Sequence, residues 1–265
     1  MRSDGTRYEV RLAESEADVR AAQRLRYRVF VEEMGAKVSP ADAAEGLERD
    51  RFDPHFDHLL LIDRDLAERD ALNSVVGVYR LMRGSVAKPG LGFYGATEYD
   101  LSRLMEMRRE TVELGRSCVH PDYRGGVAMH LLWSGLGQYV THNNVEVMFG
   151  VASFHGTDPD AVATPLSYLH HNHLAPDDLR VTCWPENRAE MDRISAVEVD
   201  RAAAMKLLPP LIKGYLRLGG FVGDGAFIDR AFNTIDVCLL MDTARMAAKY
   251  RDMYSRGALG EVKVG

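Results

Sequence analysis

The chain of 265 residues is 46% hydrophobic and 27% charged, a balance typical of a folded globular protein and unlike a disordered or collagenous one. Its formal net charge of −6 argues against nucleic acid as a partner, because proteins that bind nucleic acid usually present a strongly basic surface. No apolar run approaches the roughly 18 residues that a membrane-spanning helix needs.

The three cysteines are too far apart for a disulfide framework, and they lack the Cys-x-x-Cys spacing of a structural zinc site. Cys118, Cys183 and Cys238 therefore fit a reducing compartment. We expect a cytoplasmic protein.

The spacing of apolar residues predicts strands interleaved with helices. Ser15, followed by Asp18, forms a capping-box signature for the first helix. The predicted strands cover residues 8–12, 59–62, 75–82, 111–117, 145–154, 221–222 and 235–241. The predicted helices cover residues 16–33, 126–143, 159–172 and 209–218. This order predicts a mixed α/β (α+β) fold, a central sheet with helices on both faces, in one domain (1–265) with an insertion at about 175–205.

Residues 112–128 run from a predicted strand through a glycine-rich turn into a helix. Unpaired backbone N–H groups at a helix N-terminus attract anions, so this segment predicts a phosphate site. Arg124-Gly125-Gly126-Val127-Ala128 resembles the acyl-thioester-binding motif of the GNAT acyltransferases, one residue shorter than usual. The resemblance implies that these residues and Val119 bind the acyl donor. A shorter turn presents fewer N–H groups, which favours the single phosphodiester of phosphopantetheine on an acyl carrier protein over coenzyme A.

Other segments resemble two groups of GNAT relatives. Residues 24–35 and Glu113-Leu114-Gly115-Arg116 look like motifs of the acyl-homoserine-lactone synthases, which take acyl groups from carrier proteins. Residues 51–58, 113–124 and 232–237 are similar to the ornithine N-acyltransferases of ornithine-lipid biosynthesis. The likeness implies a GNAT fold. It also implies transfer of a (3-hydroxy)acyl group from acyl carrier protein to the α-amine of L-ornithine, which forms lyso-ornithine lipid.

Ornithine carries a carboxylate and two amines, so a selective pocket needs both arginines and acids. Together with the resemblance, this requirement makes Arg80 and Arg116 candidates for binding the carboxylate. Glu33, Asp53 and Asp57 are candidates for binding the δ-ammonium. The resemblance also implies substrate contacts for Arg28 and Phe30. Without the resemblance, Asp53 and Asp57 would be read as solvated turn residues.

Only an unprotonated amine attacks a thioester, and α-amino groups titrate at about 8, so a base must accept a proton. Glu113 is the candidate, directly or through water. Backbone N–H groups near Cys118 and Val119 are candidates for stabilising the oxyanion, because chain irregularity there frees donors. No side-chain nucleophile is expected. Glu113 and Arg116 could instead be partners in structural ion pairs.

We expect no permanently bound cofactor and no metal, since His170-His171-Asn172-His173 lacks the paired spacing of zinc hydrolases. An acidic carrier protein would dock on local basic patches. The arginines that could supply them are Arg24, Arg26, Arg103, Arg108, Arg109 and Arg124. Residues 202–218 mix basic and apolar side chains and predict either peripheral contact with the inner face of the cytoplasmic membrane or internal packing.

Two alternatives to this function stay open at this point. One is an acyl-homoserine-lactone-type synthase or an N-acyltransferase for another amino acid. The other, of a different class, is a non-catalytic module that binds acyl carrier protein or lipid and has a regulatory role.

Overall fold

The computed structural model describes residues 7–246. Its strands, in chain order, are β1 (Tyr8–Leu12), β2 (Asp57–Asp63), β3 (Val75–Arg83), β4 (Tyr99–Asp100), β5 (Thr111–Val119), β6 (Val147–His155), β7 (Thr182–Cys183), β8 (Arg188–Ala189), β9 (Phe221–Val222), β10 (Ala226–Asp229) and β11 (Thr234–Asp242). Its α-helices are α1 (Glu16–Arg26), α2 (Pro40–Glu45), α3 (Arg64–Ala67), α4 (Gly84–Ala87), α5 (Ser102–Glu106), α6 (Ala128–His142), α7 (Ala163–His173), α8 (Arg201–Leu207) and α9 (Pro210–Arg217).

The chain divides into two compact units. Within the described residues, the first comprises 7–82 and 114–144, and the second comprises 83–113 and 145–246. Strand β5 has residues in both units, because the division falls between Glu113 and Leu114.

In the first unit the strands lie in the order β1-β2-β3-β5, and β2 is antiparallel to both β1 and β3. Helix α1 covers one face of this sheet. Its N-terminus is capped by Ser15, which accepts a hydrogen bond from the backbone N–H of Asp18, as the capping-box signature predicts. Ala22 and Leu25 of the helix join one buried core with Leu60 of β2.

Helix α6 covers the other face. A Cβ added to Gly135 of α6 would lie 2.6 Å from Val10, and one added to Gly77 of β3 would lie 2.8 Å from the Leu132 side chain, so both glycines permit close packing. Leu59 also contacts the Gly135 position. Because successive strand residues point to opposite faces, the buried run 59–62 serves both helices. The predicted two-sided cover is thereby confirmed in this unit.

In the second unit, β5 pairs in parallel with β6 over Thr111–Glu113. Strand β6 is antiparallel to β11, and β10 and β8 follow in that order, with β9 also on β11. Strands β4 and β7 form a separate pair. The segment predicted as an insertion, 175–205, contains β7 and β8 and contributes to both sheets.

Most long elements lie where the sequence predicts them, and the differences are local. The first helix continues to Glu33, but its last seven residues, Tyr27–Glu33, form a π-helix. Helix α6 begins at Ala128 and not at 126, because Gly125 has a φ of +76° and belongs to the preceding turn. Within residues 7–246, no helix combines the length and apolarity that crossing a bilayer requires.

Candidate active site

The first unit contains a buried network of three arginines and three carboxylates. Arg26, from the end of α1, donates from Nε to Glu48 Oε2 at 2.5 Å and from Nη1 to Asp53 Oδ1 at 2.7 Å. Arg80 of β3 donates from Nη1 to Asp53 Oδ1 and to Asp50, each at 2.8 Å. Asp53 therefore joins two arginines that come from a helix and a strand.

Arg116 of β5 completes this network at its outer side. Its Nε donates to Glu48 Oε1 at 3.2 Å and its Nη2 to Asp50 Oδ2 at 3.3 Å. The side chains of Arg26 and Arg80 are 0% exposed, whereas those of Arg116 and Asp50 are 10% and 21% exposed. A ligand that approaches the network can reach Arg116 and Asp50 first.

The network controls the charge of its members. Burial acts to raise the pKa of Glu48, but the guanidinium groups of Arg116 and Arg26 outweigh burial and lower that pKa to about 2. Burial likewise opposes ionisation of Asp53, and Arg26 and Arg80 reverse the effect and hold its pKa below the usual range. Both carboxylates are charged at neutral pH, which buried arginines require.

Three of the predicted substrate-binding residues, Asp53, Arg80 and Arg116, thus lie together, bound within one network. Arg80 also stacks over the Phe56 ring at 4.3 Å, which covers a further face of its guanidinium group. Direct contact between a substrate and Arg80 or Asp53 would require the network to open, because their side chains are only 0% and 4% exposed. Of the three, Arg116 is the most accessible, and its role as a carboxylate ligand stays a prediction.

The helical spacing of α1 indicates that Arg26 is buried, and this signal was misread from the sequence. Arg26 follows Ala22 by one helical turn and faces the same buried side of α1. Its predicted part in a basic docking patch is therefore wrong, since it is fully buried against Glu48 and Asp53. Glu48 and Asp50 were not predicted, because their acidic loop gave no periodic signal.

The π-helical turn 27–33 carries the other predicted substrate contacts. Glu33 forms a two-point ion pair with Arg124, with oxygen–nitrogen distances of 2.6 and 2.7 Å. Arg28 Nη1 lies 2.5 Å from Nε2 of His120. Phe30 is partly buried and packs against the core between α1 and the sheet. Glu33 was predicted for the substrate and Arg124 for the donor, and here they bind each other.

Asp57 lies apart from this turn, at the start of β2. It accepts a hydrogen bond of 2.6 Å from the hydroxyl of Tyr139, which lies on α6. This bond joins the first residue of the strand to the helix that covers it. A role for Asp57 with the δ-ammonium stays a prediction.

The predicted donor cradle lies at the N-terminus of α6. Gly125, Gly126 and Val127 form the turn before Ala128, the first helical residue, and no side chain caps this N-terminus. Arg124 Nε donates to the carbonyl of Val119 at 3.0 Å, which fixes the turn to the end of β5. An anion placed here would meet unpaired N–H groups and the positive end of the helix dipole.

A cavity of about 310 Å³ adjoins this turn. It is lined by Arg7, Tyr8, Asp122, Tyr123, Arg124, Gly126, Val127 and Ala128. Four of these residues were not predicted for the donor, because Arg7 and Tyr8 lie immediately before and at the start of β1, and Asp122 and Tyr123 belong to the short 3₁₀ turn Pro121–Tyr123. The cavity provides space for a donor group beside the turn, which the motif alone did not predict.

Glu113, the candidate base, belongs to the second unit. Its carboxylate accepts hydrogen bonds from the backbone N–H groups of Tyr94 at 2.8 Å and Gly95 at 2.6 Å, and it is 3% exposed. A Cβ on Gly95 would lie 2.9 Å from Oε1, so the short 3₁₀ turn Tyr94–Thr97 approaches the carboxylate closely. These bonds orient Glu113 and stabilise its charged form.

Strand β5 contains the irregularity that was expected near the oxyanion donors. Arg116 has a φ of +50°, a left-handed conformation that non-glycine residues rarely adopt inside a strand. Cys118, two residues later, is buried, and burial raises the pKa of its thiol to about 12. The thiol is therefore protonated at neutral pH, in keeping with a mechanism that needs no side-chain nucleophile.

Two groups among residues 7–246 bring three possible metal ligands within 4.8 Å of one another: His170, His171 and Asp192, and Glu98, Asp229 and Asp236. In the first, His171 Nε2 lies 2.8 Å from the carbonyl oxygen of Ile194. In the second, Asp229 accepts hydrogen bonds from two backbone N–H groups. These bonds give both groups a structural explanation, and the absence of a metal stays a prediction.

Comparison with known proteins supports the interpretation of the chain as a GNAT acyltransferase. The family model described as Acetyltransferase (GNAT) domain matches residues 25–134. A relative from Rhodobacter capsulatus, named L-ornithine N(alpha)-acyltransferase, is 53% identical over 253 residues, which are 96% of this chain and 96% of that protein. Further relatives with 41% to 46% identity over at least 93% of this chain have the same name.

Solved structures share the fold. The N-acyl amino acid synthase FeeM from uncultured soil microbes superimposes with a TM-score of 0.52 at 10% identity, covering 93% of this chain and 99% of its own. The CoA-dependent acyl-homoserine lactone synthase MesI gives 0.51 at 15% identity, covering 96% and 98%. At such identities the likeness concerns the fold alone. It confirms the predicted GNAT fold and the predicted structural relation to acyl-homoserine-lactone synthases.

Proposed function

We propose that this chain, which belongs to the L-ornithine N(α)-acyltransferase family, moves an acyl group from phosphopantetheine on an acyl carrier protein to the α-amine of L-ornithine. It is an N-acyltransferase with a GNAT fold, so the alternative of a non-catalytic module no longer stands. The carrier protein as donor, the 3-hydroxy group on the acyl chain and the contact with a membrane are the parts that we add.

The observation that carries the choice of donor is the cradle at the N-terminus of α6. Its turn is short, and its cavity is lined by two arginines, Arg7 and Arg124. One phosphodiester suits this charge, whereas coenzyme A brings a pyrophosphate and a ribose phosphate. An acyl carrier protein presents one phosphodiester and is therefore the donor that fits.

The reaction needs an amine, a thioester and a proton acceptor. The α-nitrogen of ornithine attacks the thioester carbonyl carbon, the C–S bond breaks as the tetrahedral intermediate collapses, and the thiol leaves with a proton. The nitrogen loses one proton overall, so amide and thiol are the only products. Binding both substrates in the correct geometry accounts for a large share of the rate.

Some of the predicted residues have a role that their own surroundings permit. Glu113 is oriented by hydrogen bonds from two backbone N–H groups and can accept the amine proton through a water molecule. The irregular backbone that begins at Arg116 can direct N–H groups of Cys118 and Val119 towards the oxyanion. Arg116, the most accessible arginine of the buried network, can bind the carboxylate of ornithine.

The remaining enzymatic alternatives differ in the acceptor. An acyl-homoserine-lactone-type synthase would acylate S-adenosylmethionine, and a related N-acyltransferase would take another amino acid. The relatives with more than 40% identity are named for ornithine, and the likeness to lactone synthases concerns the fold alone. Ornithine is therefore the acceptor that we adopt.

The product carries one acyl chain and must reach a bilayer, so we include peripheral membrane contact at the cytoplasmic face. Leu207 at the end of α8 is 52% exposed and follows Lys206. In α9, Ile212 and Tyr215 are buried while Lys213 and Arg217 lie at the surface side of the helix. Part of the predicted segment 202–218 therefore packs inside, and the exposed end of α8 is the part that could meet lipid.

The test of the donor compares two thioesters of the same acyl chain, one on acyl carrier protein and one on coenzyme A, with ornithine as acceptor. We expect kcat/KM to be at least about tenfold higher with the carrier protein, a difference of about 1.4 kcal/mol in transition-state stabilisation. Equal or faster turnover with coenzyme A would remove the carrier protein from the proposal and leave the acyl transfer to ornithine intact.

A further inference from the structure

Arg7 lines the donor cavity and is held there by two sets of bonds. Its carbonyl accepts a hydrogen bond of 2.9 Å from the backbone N–H of Arg64, next to the end of the β1–β2 ladder. Its guanidinium donates to Asp63 Oδ2 from Nε at 3.0 Å and from Nη2 at 2.7 Å. Backbone and side chain are both anchored, so the position of this cation is set before any ligand binds.

Asp63 anchors a second residue that lines the cavity. The Tyr123 hydroxyl donates to the same carboxylate oxygen at 2.7 Å, and the side chain of Asp63 is 0% exposed. The guanidinium of Arg7 lies 5.3 Å from the centre of the Tyr8 ring and 5.9 Å from that of Tyr123. A buried carboxylate thus orients Arg7 between two aromatic rings, while the Arg7 side chain stays 53% exposed.

The two arginines of the cavity differ in what they can still bind. Arg124 uses Nε for the carbonyl of Val119 and both terminal nitrogens for Glu33. Arg7 uses only Nε and Nη2, and among residues 7–246 its Nη1 donates to no other group. Arg7 can bind an anion through both N–H groups of Nη1, whereas Arg124 keeps only one N–H on each terminal nitrogen and is already in a two-point pair with Glu33.

We propose that Arg7, oriented by Asp63, is the residue that binds the phosphate of the donor's phosphopantetheine arm in this cavity. The proposal rests on the proposed function, because it assumes a phosphopantetheine thioester as donor. The phosphate is then bound by a cationic residue that lies outside the Arg124–Ala128 motif. Asp63 is a positioning residue that acts through Arg7 and Tyr123.

The arrangement also explains why a shortened cradle could still hold a phosphate. One residue fewer in the turn removes a backbone donor, and a guanidinium with a free Nη1 restores one with a full positive charge. Since Arg124 already pairs both terminal nitrogens with Glu33, Arg7 offers more available donors, and the cavity suits one phosphate group better than a pyrophosphate.

The test separates the phosphate from the rest of the donor. Two small thioesters of one acyl chain are compared, acyl-4′-phosphopantetheine and acyl-pantetheine, which lacks the phosphate. The ratio of their kcat/KM values measures what the phosphate contributes. For Arg7→Gln we expect this ratio to fall about tenfold, as for the loss of one partly exposed charge-assisted hydrogen bond. Arg7→Lys should retain part of it.

Arg64→Gln is the matched control. Arg64 lies one residue beyond Asp63, its side chain is 52% exposed, and it pairs with Glu9 at 3.3 Å without lining the cavity. This variant removes an equally exposed guanidinium from the same end of the sheet. We expect its donor ratio to equal that of the wild type.

A purely structural role for Arg7 would slow both thioesters equally and leave the ratio unchanged, and that result would overturn the proposal. Calorimetric binding of 4′-phosphopantetheine and of pantetheine gives the same comparison without turnover, so the proposal remains testable if Arg7→Gln is unstable and only Arg7→Lys folds. The proposed function fails in a different way: the wild type would not turn over carrier-protein thioesters.

Discussion

Glu33 and Arg124 hold each other through two hydrogen bonds, 2.6 Å between Oε1 and Nη1 and 2.7 Å between Oε2 and Nη2. The hydrogen bonds from Arg124 lower the pKa of Glu33, so the pair is charged on both sides at neutral pH. Both side chains are at least 40% exposed. Arg124, the arginine of the donor-binding motif, is therefore engaged by Glu33 in an ion pair that solvent and salt can weaken.

Glu33→Gln should lower the KM for the phosphopantetheine donor, because it frees Arg124 without removing bulk. We expect a decrease of about two- to fivefold at low ionic strength that shrinks as salt is added, in keeping with a surface ion pair. Steady-state kinetics at several salt concentrations provide the measurement. Glu32→Gln is the control, since Glu32 is similarly exposed and meets Arg24 only at 4.0 Å. A higher donor KM would contradict competition between Glu33 and the donor for Arg124, and a raised KM for ornithine alone would place Glu33 at the acceptor.

Arg80→Met should destabilise the protein by about 3–5 kcal/mol, because it leaves the buried Asp53 carboxylate and the partly exposed Asp50 carboxylate without one of their cations. Urea denaturation with its midpoint and slope is the measurement. Arg49→Met is the matched control: Arg49 also binds two carboxylates, but its side chain is 37% exposed and solvent screens these pairs, so we expect a much smaller loss. Equal losses in the two variants would contradict the buried network as a source of stability.

The pKa of Glu48, lowered from 4.5 to about 2, predicts a loss of stability in acid. Because the folded pKa lies below the unfolded one, ionised Glu48 stabilises the fold above about pH 4.5, and that contribution disappears as the pH falls towards about 2. Glu48→Gln should be less stable than the wild type at neutral pH but lose less between about pH 5 and about pH 3. Urea midpoints measured across this pH range give the dependence of stability on pH and so test this prediction.

Glu45→Gln serves as the control for this titration. Glu45 is an exposed carboxylate whose pKa is also lowered, by its hydrogen bond with Arg49, yet solvent screens that pair. Its replacement should leave the wild-type slope intact. If Glu48→Gln had the wild-type slope too, the acid sensitivity would arise elsewhere in the chain.

Glu113→Gln should reduce kcat by roughly a hundredfold or more while the KM values change little, as expected for loss of a general base. The carboxamide keeps the shape but has one acceptor oxygen for the two N–H groups of Tyr94 and Gly95, so the urea midpoint of the variant is measured alongside and kcat is compared on folded protein. Glu110→Gln is the control, because Glu110 also accepts a backbone N–H, from Ser85, at an exposed position. Near-normal kcat in Glu113→Gln would leave Glu113 with a structural role only.

The long elements of the fold could be predicted from the sequence because local patterns determine them. Strands β3 and β11 are mostly apolar runs, and α1 has a capping residue and a helical period. Two-residue strands such as β7 and β8 carry no period of their own and form only through pairing with distant strands. The π-helical end of the first helix could not be distinguished from an α-helix in the sequence, because the spacing of its residues is similar.

The candidate site could be predicted in part. Arg124, Gly126, Val127 and Ala128 of the motif line a cavity at the N-terminus of α6, and their role with the donor stays a prediction, as does the role of Glu113 as a base. The charge partners could not be predicted, because Glu48 and Asp63 come from segments 68 and 60 residues away from Arg116 and Tyr123, respectively. Their pairing depends on tertiary structure and leaves no mark in the local sequence.

Regiochemistry of the product tests the central claim most directly. Wild-type protein is incubated with 3-hydroxyacyl carrier protein and an equimolar mixture of ornithine, lysine, glutamine and S-adenosylmethionine, and tandem mass spectrometry identifies each acylated amine. The account predicts one dominant product, ornithine acylated on its α-nitrogen. Acylation of the δ-nitrogen, or preferential acylation of another amine in the mixture, would contradict it.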